Sequence, residues 1–229
     1  MNDLPVARQY LTTLNPHVLP KWVRDDEGRG VERSVGREML LGYLLAVAVG
    51  LGFAVALHFS TVLRRALLPL LVVSQTVPTV VLAPILAILL GYGIGPKLVV
   101  VAIVCFFPIV VNAVDGLRAT EPELIRMMKT LHGTRWGIFR RVEFPGALPM
   151  IFSGARIAAT YAAVGAVFGE WAGSSSGLGH LMLQASAQLL TARVFAAVAV
   201  LSAFAIALFV LLAALERRVA WWGPRGAGS

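Results

Sequence analysis

The chain has 229 residues, 58% of them hydrophobic and 14% charged, with a formal net charge of +8. Several uncharged windows exceed about eighteen apolar residues, which excludes an ordinary soluble domain and predicts an all-α membrane protein. The basic residues stand in short loops beside the apolar runs, with no nucleic-acid motif among them, so they read as topology determinants and lipid-headgroup contacts rather than a nucleic-acid surface.

Met1 to Arg37 is polar, lacks the apolar core of a signal peptide and holds no span, which sets residues 1–34 apart as an N-terminal segment. The first predicted span runs from Met39 to Phe59, with His58 as its one basic residue, and Arg64 and Arg65 follow. Ala66 to Pro96 then stays uncharged. Pro69, Pro78 and Pro84 interrupt it, so it reads as one kinked span over 67–90 followed by a GYGIGP turn. The third span, Leu98 to Val114, contains Pro108 and the lone Cys105, a small packing residue that excludes a disulfide framework. After a polar island come a fourth span, Ala147 to Phe168, with Arg156 as its only charge, and a Gly/Ser cluster, AGSSSGLGH, that dips back or lies along the surface. The fifth span, Val194 to Leu215, is closed by Glu216, Arg217 and Arg218, and residues 223–229 form a tail.

The island, Arg118 to Pro149, carries six of the basic residues between two membrane-length apolar blocks. Thr120-Glu121-Pro122-Glu123 has capping-box spacing and predicts a helix start. Leu124, Met127, Met128 and Leu131 recur at helical spacing as one apolar stripe, and Arg126 and Lys129 point elsewhere. Gly133 is placed to end that helix in the left-handed position, with Lys129 and His132 in the last turn. Thr134 is placed to cap a second short helix through Trp136 and Phe139 that stops before Pro145. Such a pair of amphipathic helices suits either a lipid interface or a groove in a partner protein.

Counting Lys and Arg near span ends puts the island, Arg64, Arg65, Arg217 and Arg218 on the cytoplasmic side, against Lys97 and Arg193 opposite. The basic N-terminal segment then falls on the outer side, against the rule. Polar groups at span centres are candidate pathway residues: Ser74, Gln75 and Thr76 beside Pro78, then Asn112 and Tyr161, with helix–helix hydrogen bonding as the plainer use. Arg156, two turns inside the fourth span, is expected to pair with Asp115 at the matching end of the third. No P-loop or other catalytic motif is present, so the chain is read as a non-enzyme that binds no cofactor. An ATP-independent channel or scaffold would use the prolines and small residues equally well.

Three stretches, PLLVVSQTVPTVVLAPILAILLGYGIGPK, FFPIVVNAVDGLRATEPEL and TLHGTRWGIFRRVEFPGALP, resemble the permease subunit of a binding-protein-dependent ATP-binding-cassette importer of the nitrate/sulfonate/taurine-type branch. The resemblance continues through SGARIAATYAAVGAVFGEWAGSSSGLGHLML to LLAALERR, covering 35–222. It implies a multi-pass subunit of the bacterial plasma membrane that pairs with a second copy. Two ATPase subunits supply ATP and Mg chemistry, and an extracytoplasmic solute-binding protein delivers solute. The family usually has six spans, so a short form and an upstream start are both open. The resemblance makes 118–146 the coupling region, with Glu123, Leu124, Arg126, Met127, Met128, Leu131, His132, Gly133, Arg135, Trp136 and Pro145 as ATPase-coupling residues. The family signature, Glu-Ala-Ala, three residues and Gly, then Ile-x-Leu-Pro, is altered here. Arg126-Met127-Met128 replaces the triplet, His132 the Gly, and Val142-Glu143-Phe144-Pro145 the distal part. Glu170 and the loop from Gly177 to Gly179 are implied to face the incoming solute and its binding protein. The segments around Tyr161 and Glu170 are most similar to the subgroup for thiamine-precursor pyrimidines or riboflavin.

Overall fold

A computed structural model of the chain describes residues 31–91, 93–172, 174 and 177–222, with side chains from 35 onward. Residues 1–30 of the polar N-terminal segment and the tail 223–229 lie outside the described residues. All regular structure within them is helical. In chain order the helices are α1 (Val31–Phe59), α2 (Thr61–Ser74), α3 (Thr79–Leu90), α4 (Ile94–Arg118), α5 (Pro122–Thr130), α6 (Arg135–Ile138), α7 (Phe144–Trp171), α8 (Leu178–Ala187) and α9 (Thr191–Val219). Four stretches are long and apolar enough to cross a membrane: Val35–Phe59, Ile94–Arg118, Arg135–Trp171 and Thr191–Val219; α2 and α3 together have the length and composition of a fifth, a broken crossing or a re-entrant loop.

That broken pair departs from the expected kinked helix. α2 and α3 meet at about 100°, and the chain turns through Gln75, Thr76 and Val77 to Pro78, which starts α3 from an extended backbone. Pro78 offers no N–H to continue α2. Pro69 and Pro84, by contrast, stay inside their helices.

α4 and α7 form the centre of the bundle and approach through small residues. A Cβ on Gly165 would lie 2.9 Å from the Val101 Cα, and one on Gly169 would lie 3.0 Å from the Lys97 Cα. Ala158, Ala159, Ala162 and Ala166 are fully buried in the same seam. In hydrocarbon, where no hydrophobic force drives helices together, such close backbone approach supplies the packing energy. α1 crosses the pair, its Gly50 against Ile109, and Tyr43 donates a hydrogen bond of 3.0 Å to the Ala155 carbonyl of α7. Cys105 is buried, with Sγ 3.3 Å from the Ala158 carbonyl. α8, which follows the Gly/Ser cluster, packs against α7 and α9. Leu211, Val210 and Ile206 on α9 remain exposed, as expected of a surface that meets lipid.

Candidate functional site: a docking face and an uncharged cleft

The island forms one end of the bundle. α5 begins at Pro122 with Glu121 at its cap position and no side-chain cap bond, so the expected capping box is absent. The Thr120 hydroxyl is instead buried without a hydrogen-bond partner, turned towards Gly146 on α7. At the other end of α5 the left-handed residue is His132, at φ 57°, rather than Gly133. Gly133 N–H donates to Met128 O at 2.9 Å and His132 N–H to Lys129 O at 3.0 Å. These two bonds close the helix as a Schellman turn with His132 in the position that favours glycine.

Thr134 does cap α6, its Oγ1 accepting from Gly137 N–H at 3.1 Å. Pro145 does not stop that helix. One wide turn, Phe139–Glu143, in which Phe144 N–H reaches back to Phe139 O, carries α6 into α7 without a break. Such an i→i+5 turn accommodates the donor that Pro145 lacks. The island is therefore one free-standing short helix, α5, and the protruding start of a long one.

Of the stripe, Leu124, Met127 and Leu131 are exposed, Leu131 to 69%, and Trp136 beside them to 59%, whereas Met128 is half-buried. Glu123, Arg126, Lys129 and Arg135 are exposed as well, with Arg126 and Lys129 on the opposite side of α5 by helical spacing. The base of the face is fastened to the end of α1. Arg135 donates to Phe59 O at 2.9 Å and lies 5.2 Å above the Phe59 ring. Trp136 stacks on Phe139 with centroids 5.2 Å apart, and Phe139 contacts Phe59 and His58. His58 Nε2 meets Glu143 Oε2 at 2.9 Å, with both side chains largely buried. Sequence reasoning noted His58 only as an isolated polar residue; its partner, 85 positions away, leaves no local signal.

Midway along the bundle the α2–α3 break opens onto a cleft of about 1040 Å³, walled by α1, α4 and α7. Ser74, Gln75, Pro78, Asn112 and Tyr161 share its wall with Phe106 and Phe107, whereas Thr76 and Glu170 do not. No Asp, Glu, Lys, Arg or His lines it. Ser74 and Thr76 turn their hydroxyls back onto Leu71 O and Val73 O, at 2.7 and 2.8 Å.

At the end opposite the island, Glu170 is only 1% exposed and so is not presented to solute or partner. Its Oε2 accepts from Gly179 N–H at 2.5 Å, and Trp171 Nε1 donates to Gly179 O at 3.0 Å. Nearby, Lys97 Nζ pairs with Glu38 Oε1 at 2.8 Å. The expected Asp115–Arg156 pair is not formed. Arg156 reaches Glu216 on α9, at 3.2 Å, and lies 5.8 Å from the Phe209 ring centre. A long arginine inside a span turns to the nearest carboxylate, and Asp115 stands exposed on α4. Among the described residues no three His, Cys, Asp or Glu side chains converge as metal ligands would.

Residues 48–221 match the family described as binding-protein-dependent transport system inner membrane component. The chain is 39% identical over 184 residues to a probable ABC transporter permease protein of Haemophilus influenzae, covering 80% of this chain and 75% of that protein. It is 35% identical over 182 residues to the formylaminopyrimidine transport permease protein ThiX of Halalkalibacterium halodurans, covering 80% and 73% respectively. Among solved structures it is similar to the MetNI methionine ABC transporter in an inward-facing conformation, with a TM-score of 0.71 and 18% identity over 81% of this chain and 92% of that one. This last likeness concerns the fold.

Proposed function

The chain belongs to the family of binding-protein-dependent transport system inner membrane components, the permease subunits of ABC importers, and we propose that two copies form the solute path between them. Two cytoplasmic ATPase subunits bind the faces built on α5 and the start of α7, hydrolysing ATP with Mg as their cofactor. Closure of the ATPases on ATP draws the two faces together, and the rigid helices transmit this to the cleft as a switch between inward and outward access. An extracytoplasmic binding protein delivers the solute. The domain spans 35–222, with 118–146 as its coupling region.

One observation carries the docking role: Leu124 and Met127 on α5 and Leu131 at its end are exposed, beside an α6 that Arg135 fastens to the end of α1. An apolar, methionine-bearing helix face outside the spans fits a partner's groove. The solute favoured is a thiamine-precursor pyrimidine, riboflavin or a related heterocycle. The cleft wall is uncharged, and the relative from Halalkalibacterium halodurans is named for formylaminopyrimidine. A nitrate, sulfonate or taurine-type anion would meet no positive charge there.

The test is co-expression with the candidate ATPase. Met127→Asp is expected to abolish co-purification of the ATPase while the permease still inserts, and the unaltered complex is expected to hydrolyse ATP faster when loaded binding protein is added. Intact co-purification with Met127→Asp and Leu124→Asp would refute the docking assignment.

A further inference from the structure

The cleft contains more polar residues than free polar groups. The Ser74 hydroxyl is engaged by its own helix. Asn112 is held twice. Its Nδ2 donates to Pro108 O at 2.8 Å, and α7 presses against it so closely that a Cβ on Gly154 would lie 2.6 Å from the Asn112 Cβ. What Asn112 still offers the cleft is its amide oxygen and its second N–H, both fixed in place. Gln75 and Tyr161 are both exposed, and their side chains make no hydrogen bond among the described residues. Around these three stand aliphatic side chains, Thr79 at the start of α3 and the rings of Phe106 and Phe107, and Phe106 is held against Phe53 with centroids 5.5 Å apart.

We infer that Gln75, Tyr161 and the Asn112 amide oxygen are the specificity-determining residues of the cleft, reading the hydrogen-bonding edge of an uncharged planar heterocycle. The inference rests on the importer reading above. A carboxamide offers a donor and an acceptor side by side, the pattern that an aminopyrimidine or lactam edge complements. The Tyr161 hydroxyl either donates or accepts, and the Asn112 amide oxygen accepts. The aromatic and aliphatic wall takes the ring faces. An anion entering this space would lose its hydration with no cation to replace it, a cost that hydrogen bonds from neutral groups do not offset. Selection in the cleft is thus by absence of charge first and by hydrogen-bond pattern second. A buried polar group left unpaired by the wrong solute is a strong ground for rejection.

The experiment uses the permease–ATPase complex in nanodiscs without binding protein and measures equilibrium binding of radiolabelled formylaminopyrimidine and riboflavin, with ethanesulfonate as the anionic competitor. One of the uncharged probes is expected to bind, and excess ethanesulfonate to leave it in place. Gln75→Ala and Tyr161→Phe each weaken that binding about five- to tenfold, the usual consequence of losing one hydrogen bond to a desolvated ligand. Thr76→Ala, off the cleft wall, is the control and binds as the unaltered complex does. Displacement by ethanesulfonate, no binding of either uncharged probe, or unchanged binding in both Gln75→Ala and Tyr161→Phe overturns the assignment. In the same nanodiscs, stimulation of ATP hydrolysis by loaded binding protein reports on the importer reading separately. Normal stimulation with unaltered probe binding in the variants removes the recognition set alone; no stimulation in the unaltered complex removes the importer reading itself.

Discussion

His58 Nε2 and Glu143 Oε2 lie 2.9 Å apart at the junction of α1 with the wide turn that begins α7. Beside them, Arg135 holds the Phe59 carbonyl. The end of the first span is thereby tied to α6 and the wide turn, part of the face proposed above to bind the ATPase, so a displacement of α6 reaches α1 directly as well as through α7. His58→Ala leaves Glu143 buried without its partner, which costs about 1–3 kcal/mol. Glu143→Gln keeps a hydrogen-bonding group in place and costs less. Thermal unfolding of the purified permease checks the ranking, and the ratio of solute transported to ATP hydrolysed checks the mechanical role. Equal melting temperatures for His58→Ala and the unaltered chain would show that the contact contributes nothing.

His132 holds a left-handed conformation that costs a non-glycine residue about 1 kcal/mol or more. His132→Gly is expected to stabilise the end of α5 by about 0.5–1 kcal/mol, and His132→Val to destabilise it by more than that, since a β-branched side chain tolerates positive φ least. Melting temperatures of the three proteins should follow the order Gly, His, Val. A Val variant as stable as the Gly variant would contradict the Schellman assignment.

The same turn shows where local sequence cues mislead. Gly133 beside His132 looked like the natural helix terminator, but the 6→1 bond from Gly133 N–H to Met128 O leaves His132 as the residue that must turn. Thr120 and Glu123 had capping-box spacing, but Pro122 sets the first helical turn and the bundle takes the Thr120 side chain inward. Hydrophobic periodicity was the dependable signal. The apolar runs around 39–59, 98–114, 147–168 and 194–215 are all spans, each longer than its uncharged core because helices continue through charged ends such as Arg118 and Glu216. Of the stripe of Leu124, Met127, Met128 and Leu131, all but the half-buried Met128 are exposed. Gln75, Asn112 and Tyr161 could be nominated as polar groups in apolar runs, but their sharing of one cleft depends on α2–α3, α4 and α7 meeting. Which partner Arg156 takes depends likewise on how α9 returns beside α7, a tertiary fact with no local trace.

Arg156 and Glu216 join α7 to α9 at 3.2 Å, each partly screened by solvent. Arg156→Glu is expected to lower the yield of folded permease and its transport rate, and the additional change Glu216→Arg to restore both. Pairing Arg156→Glu with Asp115→Arg is expected to restore neither. Rescue by the Asp115 change instead would place the working partner on α4.

Glu170 sits where a carboxylate is the part that closes the fold. Gly177, at φ 126°, brings the chain so near that a Cβ there would overlap the Glu170 carboxylate, and Gly179 then presents its N–H to Oε2 at 2.5 Å. The bond satisfies one of the first amides of α8, which have no partner inside the helix. Trp171 holds Gly179 O at the same time. Glu170 therefore ties α8 to the end of α7 at the face opposite the island. Glu170→Ala removes the acceptor and leaves the Gly179 amide buried and unpaired, whereas Glu170→Gln retains an acceptor oxygen. Hydrogen exchange over 178–187 should rise about tenfold or more in Glu170→Ala, because the segment opens locally once its anchor is lost, and change far less in Glu170→Gln. Gly177→Ala should resemble Glu170→Ala, since any side chain there displaces the carboxylate and the backbone is strained for an L residue. If exchange over 178–187 is the same in Glu170→Ala as in the unaltered chain, α8 is held by its apolar packing on α7 and α9 alone, and the carboxylate has another purpose.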